Sequence, residues 1–338
     1  MASNGDVYVS NVGGSTVSVI SGTSNSVIAS ITVNSGPNGM AYDPSNGDVY
    51  VSIPGSNDVQ VISTSSNSVV ATVPVGSGPR GVAYDSANGD IYVANLNDNT
   101  VSVISGSSNA VVATISVGTS PRGAFVDPSN GNVYVSNRDD NTLSVISSST
   151  NTVTATIDVG SEPLDMAVSS NGEIFVANQG NNTVSVVQAS ANQAIATISV
   201  GSTPFGAAYA SSNGNVYVTN TDDNTVSVIS SSSNQVLQTI PVGNGPAGVA
   251  FDPTNNDVYV ANSNTDTVSV IPTASTSTTV SSTPTASTAQ PSSSSTSSTA
   301  VPEFPFQFVL VAAFTAALAV AYVLLRGRQL RPMRPIPQ

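Results

Sequence analysis

Seven copies of one short unit fill most of this chain, and that repetition limits its fold more than any other feature. Tyr-Val-x-Asn or a close variant begins at positions 8, 50, 92, 134, 175, 217 and 259. The spacing is 42 residues, with one interval of 41 caused by a deleted residue near Ser169-Ser170-Asn171-Gly172. A fixed period of this length marks a repeat architecture, in which each unit buries its apolar faces by stacking on its neighbours.

One period, residues 79–117, shows the contents of the unit. PRGVAYD is followed by the turn Ser86-Ala87-Asn88-Gly89, and DIYVAN by Leu96-Asn97-Asp98-Asn99. TVSVIS is followed by Gly106-Ser107-Ser108-Asn109, and AVVATISV ends at Gly118. The four segments are short, rich in Val, Ile and Tyr, and bounded by Gly, Asn, Asp and Ser, which predicts four strands joined by turns. Asn-Gly recurs at the first turn, where hairpins need positive φ. No segment before residue 305 has helical periodicity. Four strands per 42 residues predicts a β-propeller blade, with Pro-x-Gly-x-Ala as the inner strand, because small side chains suit the crowded ring axis. A parallel β-helix is the competing architecture, but its coils are shorter and are not joined by Asn-Gly hairpins.

Seven second strands but only six inner-strand prolines (Pro37, Pro79, Pro121, Pro163, Pro204, Pro246) predict an all-β, seven-bladed propeller with incomplete terminal blades. The first blade lacks its inner strand and the last its outer strand, of which Thr278-Thr279-Val280 is a weak remnant. An upstream strand and signal peptide are expected to precede Met1.

The repeats Pro-x-Gly-x-Ala, Tyr-Val-x-Asn and Thr-Val-Ser-Val-Ile resemble the YVTN-type propeller repeats of archaeal surface-layer and cell-surface proteins. The resemblance covers about residues 5–271. It implies a propeller on the cell surface, working as a structural or adhesive module. Proteins resembling lactonases and other propeller enzymes share this repeat type.

After Ile271 the composition changes. Of residues 273–300, 20 of 28 are Ser or Thr, which cannot build a core and predicts a disordered stalk. An apolar run of 20 residues, 306–325, is long enough for one bilayer crossing. Arg326, Arg328, Arg331 and Arg334 follow it, which places the tail in the cytoplasm and the propeller outside. The expected domains are therefore 1–271 propeller, 272–303 stalk, 304–325 transmembrane helix and 326–338 cytoplasmic tail. Pro302-Glu303-Phe304 before the span resembles the PEF-type sorting signals of archaeal surface proteins, which implies processing there. A permanent anchor is the alternative.

Composition narrows the chemistry. Cys, His, Lys and Trp are absent, which excludes disulfides, thiol nucleophiles, imidazole catalysis and Schiff bases. Residues 1–305 carry 20 acidic side chains and three Arg, the opposite of a nucleic-acid footprint.

Most polar candidates repeat with the unit. The turns Asn97-Asp98-Asn99, Asp139-Asp140-Asn141 and Asp222-Asp223-Asn224 are candidate Ca²⁺ ligands or ordinary Asx turns. Asp43, Asp85, Asp127 and Asp252 end inner strands, as acid/base groups or as turn initiators. The x of Pro-x-Gly behaves differently, reading Asn38, Arg80, Arg122, Leu164, Phe205 and Ala247. Residues fixed by the fold repeat, whereas residues chosen for a site need not. Asn38, Arg80, Arg122 and Phe205 are therefore the candidate ligand-binding set, with Arg forks for carboxylate or sugar-acid groups and Phe205 for stacking. Asn181, in the sole N-x-Thr sequon, is the candidate glycosylation site.

The expectation from sequence is a non-enzymatic display module without cofactor or metal. Its expected partners are surface proteins or glycans, the membrane through the C-terminal helix, and further copies by lateral self-association, with no nucleic acid. The rival is an exported lactonase-like hydrolase or lyase with a carboxylate-held metal in the channel.

Overall fold

The computed structural model describes residue 2, residues 5–273 and two short stretches, 303–305 and 310–311. It is a ring of seven four-stranded antiparallel sheets. The third blade shows the pattern, running outward through Pro79–Tyr84, Asp90–Asn95, Thr100–Ser105 and Ala110–Ser116. One 3-10 turn, Ala189–Ala191, interrupts the all-β pattern. The strand pattern read from the repeat and the blade count are both borne out.

The turns form where the sequence demands them. Gly47, Gly89, Gly131, Gly172 and Gly214 take φ between +69° and +77° in the first hairpin of their blades, a region that only glycine enters at little cost. Asn57, Asn99, Asn141, Asn182 and Asn224 take positive φ at the second turn, where their Oδ1 atoms also accept backbone N–H groups of the loop into the next blade.

The core lies between blades. Second and third strands bury both faces. Outer strands alternate, because the blades splay toward the rim and leave one face in water. Val59, Val61, Val82, Ile91, Val93 and Ile104 fill the space between the second and third blades. Polar staples repeat with the ring. The Tyr of Tyr-Val-x-Asn donates its hydroxyl to an Asn in the next blade, as Tyr50 does to Asn109 (2.9 Å) and Tyr92 to Asn151 (3.0 Å). Tyr259 donates to Asn25 at 2.8 Å, which ties the seventh blade to the first. Replacing Tyr259 by Phe should lower stability by about 1 kcal/mol, read by denaturant unfolding. Equal stability would show that this bond adds nothing to ring closure.

The terminal blades are completed by the C-terminal segment. Glu303–Pro305 pairs with the third strand of the seventh blade, and Leu310–Val311 pairs with Val9 and Ser10 of the first. The expected gaps are thus filled by backbone far along the chain. Of the stretch 304–325 read as a membrane helix, residues 304, 305, 310 and 311 are described, and they lie in these two short strands. Among the described residues no helix is long and apolar enough to cross a membrane. The rest of 304–325, the Ser/Thr segment 274–302 including Thr278-Thr279-Val280, and the Arg tail lie outside the described residues.

Candidate functional site

All inner strands run the same way, so their first residues gather at one mouth of the channel. The mouth is shaped from the loop upward. Asp98 accepts the backbone N–H of Ser77 at 2.6 Å, and Asp140 and Asp223 do the same for Thr119 (2.6 Å) and Ser202 (2.7 Å). The Asp/Asn turns are thereby committed to holding the loop that leads into Pro-x-Gly, which favours their turn role over a Ca²⁺ role. The Asn of Tyr-Val-x-Asn is buried and equally committed: Asn95 donates to Thr100 Oγ1 at 3.0 Å and Ser102 Oγ at 2.9 Å.

The residue before that Asn locks the blades together. Ser10, Ser52, Ser136 and Thr219 donate across the blade boundary to the carbonyls of Asn38, Arg80, Leu164 and Ala247, at 2.6–2.7 Å. These bonds fix the backbone of the variable x position and leave its side chain to the ring axis. The Gly that follows is there because space is absent. A Cβ on Gly39, Gly123 or Gly206 would lie 2.4, 2.3 or 2.5 Å from the x carbonyl of the next blade.

Two of the four predicted ligand-binding residues come into direct contact. The Arg122 guanidinium lies 5.8 Å from the centre of the Phe205 ring, although the whole fifth blade stands between their strands. Arg122 and Phe205 are 6% and 2% exposed, so the cation is held against the ring face inside the protein. Leu164 and Ala247 pack with Phe205 in one apolar cluster that reaches Val9 of the first blade. Arg80 sits in the neighbouring blade and is partly exposed. Its charge acts on Arg122, whose pKa falls to about 9 through burial, then Arg80, then Arg138. Burial alone lowers Arg80 to about 10. The Nε atoms of both are buried without a hydrogen-bond partner among the described residues. The ion pairs formed between described residues belong to Arg138, with Glu162 at 3.0 Å and Asp139 at 3.6 Å. Two like-charged, desolvated guanidiniums without a carboxylate between them form a site whose chemistry calls for an anion. Asn38 is fully buried in the second blade's position of the same set.

One residue of this mouth escapes the x-position reading. Asp165 occupies the Gly place of Pro-x-Gly in the fifth blade, and it is 2% exposed. In that blade Ala177, like Ala94 and Ala261 in the third and seventh, stands where the first, second, fourth and sixth blades have Ser or Thr; in the fourth, Ser136 Oγ lies 3.1 Å from the Cβ position of Gly123. The missing hydroxyl is the space the carboxylate needs. The signal was legible, since Asp165 departs from the repeat as Arg80 and Arg122 do.

The other candidates lie elsewhere. Asp43, Asp85, Asp127 and Asp252 sit at the opposite mouth, each accepting a backbone N–H from its own turn at 2.8–2.9 Å, as turn initiators do. Among the described residues no group of three or more His, Cys, Asp or Glu is placed to hold a metal ion, so these side chains do not fit the carboxylate-held metal of the rival reading. Asn181 is exposed on the turn between second and third strands, with Thr183 Oγ1 donating to its Oδ1 at 2.9 Å. Glu303 and Phe304 lie in the short strand that closes the seventh blade, while Pro302 lies outside the described residues.

Comparison with known proteins places this geometry among propellers. Residues 42–202 match the model of the family described as Lactonase, 7-bladed beta-propeller. No curated protein matches the sequence. Among solved structures, the chain resembles Kuenenia stuttgartiensis hydrazine synthase at 18% identity and a TM-score of 0.72, covering 81% of this chain and 94% of that one. It resembles a streptogramin B lyase at 15% identity and a TM-score of 0.67, covering 77% and 88%. For the dihydro-heme d1 dehydrogenase NirN the values are 15% and 0.62, covering 80% of this chain and 61% of that one. At such identities these structures establish the shared propeller fold. The lactonase match corrects the expectation of a chain without catalysis. It covers the inner strands that carry Arg80, Arg122 and Asp165, so an enzyme-like propeller is the reading that it favours.

Proposed function

We propose that the chain is a propeller enzyme of lactonase-like type, a hydrolase or lyase acting on a small anionic substrate at the Pro-x-Gly mouth of the channel. The observation that carries this reading is the pair of desolvated guanidiniums of Arg80 and Arg122, the second held against Phe205, neither in an ion pair with a carboxylate among the described residues. In the proposed site one guanidinium binds a carboxylate or phosphate of the substrate. The other faces negative charge as it develops on a carbonyl oxygen, where fixed donors in a dry site lower the barrier most. Phe205 and Leu164 supply an apolar wall, and Asn38 a neutral polar one. Asp165, a buried carboxylate on the inner strand of the blade next to that of Arg122, takes the role of proton acceptor. No His, Cys or metal is needed for this chemistry.

The test is hydrolysis or elimination measured on a panel of lactones with and without a carboxylate or phosphate. The wild-type protein should prefer the anionic members. Replacing both Arg80 and Arg122 by Ala should cost about 100-fold or more in kcat/KM. Lack of turnover of every anionic lactone by folded wild-type protein, or unchanged turnover in the double variant, would overturn the proposal.

The sequence supports a setting for this enzyme. The Ser/Thr segment, the apolar run and the four terminal Arg fit a tethered propeller displayed outside the membrane, with Asn181 as a glycan acceptor and Pro302-Glu303-Phe304 as a processing site. Protease accessibility on intact cells combined with C-terminal mass analysis tests the tether and its processing together.

A further inference from the structure

Departures from the repeat also meet at the opposite mouth of the channel. The fifth residue of the inner strand is Ala in five blades (Ala41, Ala83, Ala167, Ala208, Ala250) but Phe125 in the fourth. The sixth is aromatic in four blades (Tyr42, Tyr84, Tyr209, Phe251) but Val126 in the fourth and Val168 in the fifth. The seventh is Asp in four blades, yet Ser169 and Ala210 stand there in the fifth and sixth. The single deleted residue falls at the same place, in the turn after Val168. Each change is confined to the fourth, fifth and sixth blades.

Together they make a cavity. Phe125, Met166, Val168, Tyr209 and Phe251, with the alanines between them, enclose about 180 Å³. Phe125 brings a ring where its counterparts have a methyl group, and Val168 leaves open the space that an aromatic fills elsewhere. The loss of two Asp removes charge from this rim. The shortened turn brings Ser170 Oγ to 2.8 Å from Tyr209 Oη, which sets a pair of hydroxyls at the edge. Phe125, Val168, Tyr209 and Phe251 are all partly exposed, so the cavity communicates with solvent. An apolar cavity of roughly 150 Å³ accepts a benzene ring. No charged side chain lines this one.

We infer that this cavity is a second binding site, distinct from the Arg mouth, for a small uncharged aromatic molecule bearing a hydroxyl group. The ring lies between Phe125 and Phe251 over Met166 and Val168, and its hydroxyl joins the Ser170–Tyr209 pair. The absence of charge in the lining disfavours an anion here, which is what separates this site from the one carrying Arg80 and Arg122.

Phenol is the probe, titrated into the full chain and followed by ligand-observed NMR. Binding at about millimolar concentration is expected for so small a molecule. Val168→Phe should weaken it about tenfold or more while leaving the fold intact, because four other blades already carry an aromatic at that position. Phe125→Ala, which restores the repeat's own alanine, should weaken it severalfold. The Arg80→Ala/Arg122→Ala double variant should bind phenol as the wild type does. Absence of phenol binding to the wild-type chain at millimolar concentration would overturn the inference. So would wild-type affinity in both cavity variants, or loss of binding in the Arg double variant.

Discussion

Gly123→Ala is expected to destabilise the propeller by about 3 kcal/mol or more. The added Cβ would stand 2.3 Å from the backbone carbonyl of Leu164. No rotamer relieves that contact, because the obstacle is backbone and the carbonyl is itself held by Ser136 Oγ at 2.6 Å. The inner strands of the fourth and fifth blades must move apart, which opens the packing along the channel. The fifth blade shows the natural way around the problem, with Asp165 in the glycine position and Ala177 where a hydroxyl would stand. A double variant, Gly123→Ala with Ser136→Ala, should therefore cost less than the sum of the two single changes. Urea unfolding of the four proteins in this cycle decides it. A single-variant cost below about 1 kcal/mol would show that the inner strands are not set by this close approach.

Alkaline pH should unfold the protein steeply between pH 10 and 12. Burial is the main reason that Tyr8, Tyr50, Tyr92 and Tyr259 titrate at about 12 rather than 10. The sign follows from linkage. Between these values the folded chain keeps phenol protons that the unfolded chain has lost, so stability falls as pH rises. The contribution is whole below pH 10 and is lost progressively as pH climbs through the folded values. The four residues act together because they occupy one repeat position between blades, where a phenolate would face the carbonyl oxygen of a half-buried Asn. Thermal unfolding measured at stepped pH, with phenolate absorbance read in parallel, checks both halves. Ionisation of these tyrosines near pH 10 with the fold intact would contradict the burial argument.

Much of the architecture was legible because repetition averages out local ambiguity. A single Val-rich segment reads as strand or buried helix, whereas seven copies with Asn-Gly at one fixed place read only as strands joined by hairpins. Asp43 and its equivalents were legible as turn residues for the same reason, and their backbone contacts agree. The x position of Pro-x-Gly was found by its refusal to repeat, and Arg122 and Phe205 do meet. Asp165 breaks the repeat one position further on, where Gly stands in every other inner strand, and the same departure marks it. The filling of the terminal blades by Glu303–Pro305 and Leu310–Val311 carried no sequence signal, since neither stretch resembles the strand whose place it takes. The expectation of non-catalytic display rested on the resemblance of the repeats to surface-protein propellers, and one fold hosts many activities; the lactonase match overturns it.

The sequence by itself determined the period, the four strands of each unit, their turns and the number of blades. These are local properties, governed by φ/ψ preference and the alternation of apolar side chains, and every copy states them again. Only the tertiary structure decided which departures from the repeat share a place. Along the chain Arg80, Arg122, Asp165 and Phe205 are isolated exceptions in four separate blades. Closing the ring turns the start of every inner strand toward one axis, so distance along the chain no longer measures separation. The same closure sets the charge-free cavity at the opposite mouth, where Val168 and a one-residue deletion leave space that other blades fill and Phe125 adds a ring as its wall.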